Sequence, residues 1–350
     1  MNLERENLGH AGDVPGNRQR EAPLVFSDTT EVPEHFLDDW PENGAFYQAT
    51  RDTMPGFTLG YLVAHRAGAR VAVVPYFVTD FKFNTMLDFS WLKPLLGTAG
   101  VRIACVGHPT TAFGRIEGEV DSELLDSVFS ALSAKAPIVA FKGFGHDLPA
   151  AGFVRVAGLP VAMLHLEADF WNTLHNHKQR NDFTRKLKAS AALRFEEHEG
   201  MPEIYLEQVH RLYLNTREHA AIQFECLSRA YFSATSGMST YLLAFLGDRL
   251  VGFAQMLVKG ERMVGKYMGM DYAVNREHDL YFALYFHALD ICRERGFREI
   301  EFGETGYRFK QAIGCELVDT WLYYRHRNPF VHILLARLAF LLEPSDIERL

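Results

Sequence analysis

The sequence predicts a mixed α/β (α+β) protein of two lobes, each a mixed, mostly antiparallel central sheet flanked by helices. Three observations carry that expectation. Stretches with the two-residue alternation of strands and stretches with helical spacing follow one another along most of the 350 residues. Three strand-like runs in the second half are joined by tight glycine turns. The order of elements in that half is repeated, more weakly, by the first half. The length suits two lobes of roughly 150 residues each.

A polar, charged stretch from Met1 to about Pro23 has no apolar stretch of signal-peptide type and reads as a loose tail. The first lobe is expected over residues 24–167. It opens around Pro41 with a short helix at Ala45–Met54, then a hairpin of Thr58–His65 and Ala69–Val78 around Gly68. A strand at Val101–Val106, the loop Gly107-His-Pro-Thr-Thr, a helix at Ser122–Ser133 and a strand at Pro137–Lys142 complete it.

The second lobe is expected over residues 168–328. It begins with a helix at Asp169–Ala189, followed by a strand at Leu193–Glu197 and helices at Glu203–His219 and Ser228–Thr235. The meander Thr240–Leu246, Leu250–Val258 and Arg262–Met270 follows, then a helix at Asp279–Arg295 and a strand at Arg298–Phe302. Residues 329–350 read as a terminal packing helix, because Leu334, Leu335, Leu338 and Leu342 recur at helical spacing. The apolar run Phe330–Leu342 is shorter than the roughly 20 residues of a membrane span.

Composition narrows the function. A net charge of −8 argues against a surface built generally for nucleic acid, while leaving room for a local basic patch. Cys105, Cys226, Cys292 and Cys315 lie far apart, so reduced thiols and a cytoplasmic location are expected. The fifteen histidines form no metal motif, and no metal is expected.

The chemistry is expected at Glu301-Phe-Gly-Glu-Thr-Gly-Tyr-Arg-Phe-Lys-Gln-Ala-Ile-Gly314-Cys315. A short strand, a glycine turn and a basic helix bring Glu304, Tyr307 and Lys310 just past a strand's C-terminal end, where open α/β sheets bind ligands. These three are the candidate catalytic residues. Glu301 is read as an exposed strand carboxylate, with a base acting through water as the alternative. The helix containing Lys178-Gln-Arg180-Asn-Asp-Phe-Thr-Arg185-Lys186-Leu-Lys188 concentrates cations, either as a solvated face or as a field for an anionic donor. On the meander, strand alternation is expected to turn Lys266 and Tyr267 to opposite faces, and Gly265 and Gly269 to leave room beside Tyr267.

The meander Tyr241–Met270, the helix–strand pair Leu280–Phe302 and the spacing Gly303…Tyr307…Lys310…Gly314 together resemble the GNAT N-acyltransferase fold in its two-lobed, FemAB-like form. That resemblance implies tandem GNAT-like lobes and transfer of an acyl group to a small-molecule amine by direct attack on a thioester. The donor would be acyl-CoA or an acyl group on a carrier protein's phosphopantetheine, with Arg180, Lys186, Arg276 and Tyr267 as donor-binding residues. His219 and Glu225, and His108 of the first lobe, would contact the acceptor. The segment Arg276-Glu-His-Asp279-Leu-Tyr281 departs from the family's glycine-rich pyrophosphate loop. FemAB-like aminoacyl transfer from charged tRNA, or a non-catalytic binding role for the same fold, are the alternatives.

Overall fold

The computed structural model describes residues 22–82, 100–166, 177–220 and 225–343. Its first half comprises β1 (Leu24–Thr29), α1 (Gly44–Thr50), β2 (Phe57–Arg66), β3 (Ala69–Lys82), β4 (Gly100–Val106), β5 (Glu117–Gly118), α2 (Ser122–Ser133), β6 (Ile138–Phe144), β7 (Val154–Ala157) and β8 (Val161–His165). Then follow α3 (His177–Ala189), β9 (Leu193–Glu199), α4 (Leu206–His219), α5 (Arg229–Ala234), β10 (Ser239–Leu246), β11 (Arg249–Lys259) and β12 (Arg262–Met270). The chain ends with α6 (Tyr272–His278), α7 (Leu280–Glu294), β13 (Glu299–Glu301), α8 (Tyr307–Ala312), β14 (Glu316–Val318), β15 (Trp321–His326) and α9 (Pro329–Arg337).

Two mixed sheets result. One runs β1-β2-β3-β4-β6-β15-β7, with β5 on β3; the other runs β14-β8-β13-β12-β11-β10-β9. Most pairings are antiparallel, and the parallel ones are β4 with β6 and β12 with β13. Glycines with positive φ at Gly68, Gly247 and Gly260 make the hairpin turns that set these registers.

The lobes are less separable than the sequence suggests. Strand β8 lies before residue 168, yet it pairs in the second sheet, between β13 and β14. Strand β15 lies before residue 329, yet it inserts in the first sheet between β6 and β7. Each sheet therefore contains one strand from the other half of the chain.

The sheets face each other across a shared core. Phe46, Tyr61 and Phe77 from the first half pack in one cluster with Tyr213, Tyr231, Phe232, Tyr241 and Phe253 from the second. Helix α2 covers the outer face of the first sheet, and α7 that of the second. The terminal segment is only partly a packing helix. Leu335 and Leu342 touch the shared core, but Leu334 and Leu338 are exposed, as is Phe330. No helix among the described residues is long and apolar enough to cross a membrane.

One register shift in the meander positions the seam. Gln255 pairs with Tyr267 and Met256 with Gly265, so Lys266 is an extra, bulged residue. The bulge overturns the expected alternation, because Lys266 and Tyr267 now both turn toward the shared core between the sheets. Lys266 Nζ, 3% exposed, forms an ion pair with Glu42, 2% exposed, and donates to the Thr110 carbonyl at 2.5 Å. Tyr267 joins Tyr213 and Tyr231 in edge-on contacts.

Removing one partner of a buried ion pair strands the other's charge in a water-poor core. Lys266→Met is therefore expected to lower unfolding free energy by on the order of 3 kcal/mol or more in denaturant titrations. Lys266→Met combined with Glu42→Leu should recover much of that loss. Equal losses in the single and double variants would show that the two groups are not coupled.

Candidate functional site at the lobe seam

Strands β12 and β13 run parallel through three pairs, Arg262 with Glu299, Met263 with Ile300 and Val264 with Glu301. After that they part. β12 continues to Met270 while β13 ends, and the chain turns at Gly303, Thr305 and Gly306, all with positive φ. The result is a fork whose one prong is an unpaired strand edge. At its wide end, Met270 N–H donates to Thr216 Oγ1 at 3.0 Å and Met270 C=O accepts from Asn215 Nδ2 at 2.9 Å. Met268, two residues back, presents its backbone to the same edge.

The apex of the fork holds Glu301. The sequence suggested an exposed carboxylate, but the side chain is buried, at 5% exposure. Burial, with Glu42 nearby, pushes its carboxyl up to about 8 against the pull of Lys266 and Arg115. No described residue hydrogen-bonds it, and it opens into a hollow of about 360 Å³ between the lobes. Sequence reasoning missed its burial because β8, its neighbour on the other side, was not recognised as a strand of this sheet.

Glu304 lies three residues on, half-buried. Burial raises its carboxyl, opposed chiefly by Lys142 of the first lobe, while Glu225 adds to the rise. Glu225 in turn accepts a hydrogen bond from Tyr267 Oη at 2.8 Å. Burial, with the Glu225 charge beside it, keeps that phenol well above its ordinary pKa, so it stays a donor. The seam thus brings together Glu301, Glu304, Glu225 and Tyr267 of the predicted set.

Tyr307 and Lys310 hold the turn. Tyr307 Oη donates to the Pro160 carbonyl at 2.8 Å, and burial raises the phenol to about 12. Lys310, 2% exposed, donates to three carbonyls, of Phe302 at 2.6 Å, Gly303 at 3.2 Å and Glu304 at 3.0 Å. The left-handed residues curl those carbonyls onto one ammonium group, whose pKa burial lowers to about 8. All three of its protons are thereby engaged, which leaves none for a phosphate.

His108 is buried in the first lobe. Its Nδ1 accepts from Thr110 N–H at 3.3 Å and its Nε2 meets Thr50 Oγ1 at 3.0 Å. Burial holds it neutral, well below the usual histidine range. His219 is exposed and stacks on Tyr272, 3.9 Å between ring centres. The room expected beside Tyr267 is filled by α4. A Cβ at Gly269 would lie 2.7 Å from backbone atoms of Leu212 and Tyr213, so only glycine fits there.

A coenzyme A pyrophosphate would need free N–H groups at the start of α7. The residues there do not fit it. Asp279 stands at that start with φ 48 and makes no side-chain cap, and Asn275 caps the helix instead. Its Oδ1 accepts Tyr281 N–H at 2.7 Å. Arg185 lies 3.6 Å from Asp279, and Lys186 pairs with Asp182 at 3.1 Å while lying over the Phe282 ring. Arg276 is exposed in the last turn of α6. The side chain of Arg180 lies outside the described residues, as do Trp171 and Leu174. Among the described residues no cluster of metal-ligating side chains occurs.

Residues 177–311 match the family described as "Acetyltransferase (GNAT) domain". No curated protein matches the sequence. Among solved structures, FemX is similar with a TM-score of 0.55 at 12% identity, covering 83% of this chain and 93% of its own. L-PGS from Bacillus licheniformis gives 0.53 at 13% identity over 88% of this chain and 99% of its own. A tandem GNAT protein from the clavulanic acid biosynthesis pathway gives 0.51 at 14% identity, over 87% and 99%. At such identities the likeness is one of fold, and it covers both lobes.

Two buried groups set opposite pH trends. The folded protein holds a proton on Glu301 that the unfolded chain releases above its ordinary value of 4.5. Glu301 therefore lowers stability progressively as pH rises from about 4.5 to about 8. Lys310, with its pKa lowered from 10.5, does the reverse and regains stability between about 8 and 10.5. Thermal melts across this range should show Glu301→Gln flattening the decline below pH 8 and Lys310→Met flattening the recovery above it. Wild-type slopes in both variants would contradict these assignments.

Proposed function

We propose, from its place among the two-lobed GNAT-fold acyltransferases, that this protein moves an acyl group from a thioester to a small-molecule amine bound at the lobe seam. The observation that carries this reading is Glu301, buried and without a hydrogen-bond partner among the described residues, at the point where β12 and β13 part. A carboxyl near 8 takes a proton from an ammonium or amine far more readily than an ordinary carboxylate would. The amine nitrogen then attacks the thioester carbon directly, a C–N bond forms, and the C–S bond breaks. Met268 N–H on the open edge of β12 is placed to receive the developing oxyanion. Glu304, raised by burial, returns a proton to the leaving thiolate. The balance is thioester plus amine to amide plus thiol.

Lys310 and Tyr307 act by fixing the turn that carries Glu304. The start of α7 argues for a donor that does not rest a pyrophosphate there, which favours an acyl group on a carrier protein's phosphopantetheine over free acyl-CoA. The same observation, with the basic face of α3 and the likeness to FemX and L-PGS, favours a second reading, aminoacyl transfer from charged tRNA.

Mass spectrometry of the protein with acyl-CoA, acyl carrier protein and charged tRNA, each with a panel of amines, separates these donors. Acylated amine formed from a thioester and insensitive to ribonuclease is the expected result; ribonuclease-sensitive product would select the tRNA reading. Glu301→Gln should reduce turnover about 100-fold or more. Unchanged turnover in that variant would remove Glu301 from the mechanism.

A further inference from the structure

We infer that the hollow at the seam binds a small amino carboxylic acid, a molecule with a free amine, a carboxylate and an apolar side chain. Both lobes build it. Trp40, Pro41, Phe113 and Arg115 come from the first, and Arg262, Met263, Val264 and Glu301 from the second. The Trp40 ring carries two guanidinium groups, Arg115 at 3.5 Å and Arg262 at 4.3 Å from its centre.

These two arginines are not equivalent. Arg262 Nε is tied to Glu299 Oε2 at 2.6 Å, which offsets its charge. Arg115 Nε is buried without any hydrogen-bond partner, although a buried N–H normally has one. With its flat face on Trp40, Arg115 offers an edge of N–H donors, the geometry that suits a carboxylate. Glu301, which no described residue hydrogen-bonds, offers the opposite chemistry to an amine. Pro41, Phe113, Met163 and Met263 supply apolar walls. A hollow of about 360 Å³ is at the small end for ligand pockets, which fits one amino acid better than a peptide or polymer.

That this molecule is the acyl acceptor rests on the proposed function; that it binds does not. Calorimetry with phenylalanine, 3-phenylpropionate and 2-phenylethylamine tests the binding without any turnover. Phenylalanine should bind tightest, with each truncated probe weaker by about tenfold or more. Arg115→Gln should weaken phenylalanine and phenylpropionate but leave phenylethylamine unchanged. Met163→Trp, which fills the hollow, should weaken all three. No binding of any probe at millimolar concentration, or an unchanged preference in a folded Arg115→Gln protein, would overturn the inference. Phenylalanine binding without thioester consumption would keep this site and remove the transfer reading. Equal acylation of phenylalanine and phenylethylamine would do the reverse.

Discussion

One extra residue in a strand organises the seam. Without the bulge at Lys266, strand alternation would turn either the lysine or Tyr267 away from the shared core. With it, the ammonium group reaches Glu42 and Thr110 while the phenol reaches Glu225. The bulge also begins two residues past the last β12–β13 pair, so the strand bends where its neighbour leaves. Lobe docking and the opening of the fork are thus consequences of the same local irregularity. The buried charges it gathers shift one another: Lys266 lowers, and Glu42 raises, the Glu301 carboxyl.

The turn after β13 shows how a basic residue can serve geometry. Thr305, a β-branched residue, adopts a left-handed conformation between two glycines that do so without cost. Carbonyls turned inward by that curl would be expensive to leave unpaired in a core; Lys310 satisfies those of Phe302 and Glu304 and shares that of Gly303 with Ala162 N–H. A lysine named among the catalytic candidates thus gives its ammonium protons to the backbone that presents Glu304.

Much of this was legible in the sequence. Helical spacing and glycine turns located α7 and the meander to within a few residues, and the unit after residue 301 stands at the end of a central strand. What escaped were short strands whose partners are distant in sequence. Three-residue β14, four-residue β7 and five-residue β8 are too brief for periodicity to register, and their stability comes from neighbours that the linear order does not reveal. The burial of Glu301 follows from β8, and so could not be read locally. Trp40 and Arg115 escaped for the same reason, since their meaning depends on Arg262 and Glu301 approaching from the other lobe. Glu225 and Tyr267 were each named, but their hydrogen bond was hidden by the bulge, which no single-residue preference announces.

The exchange of β8 and β15 bears on how the molecule is made. As the ribosome releases the first half, β6 and β7 emerge with a gap between them that β15 fills only when residue 326 is free. Until then two strand edges stand open side by side, an invitation to wrong partners. Neither half is a finished unit at birth. The nascent first sheet must wait for a strand more than 170 residues downstream of β6, so the release of β15 is the event that closes that sheet.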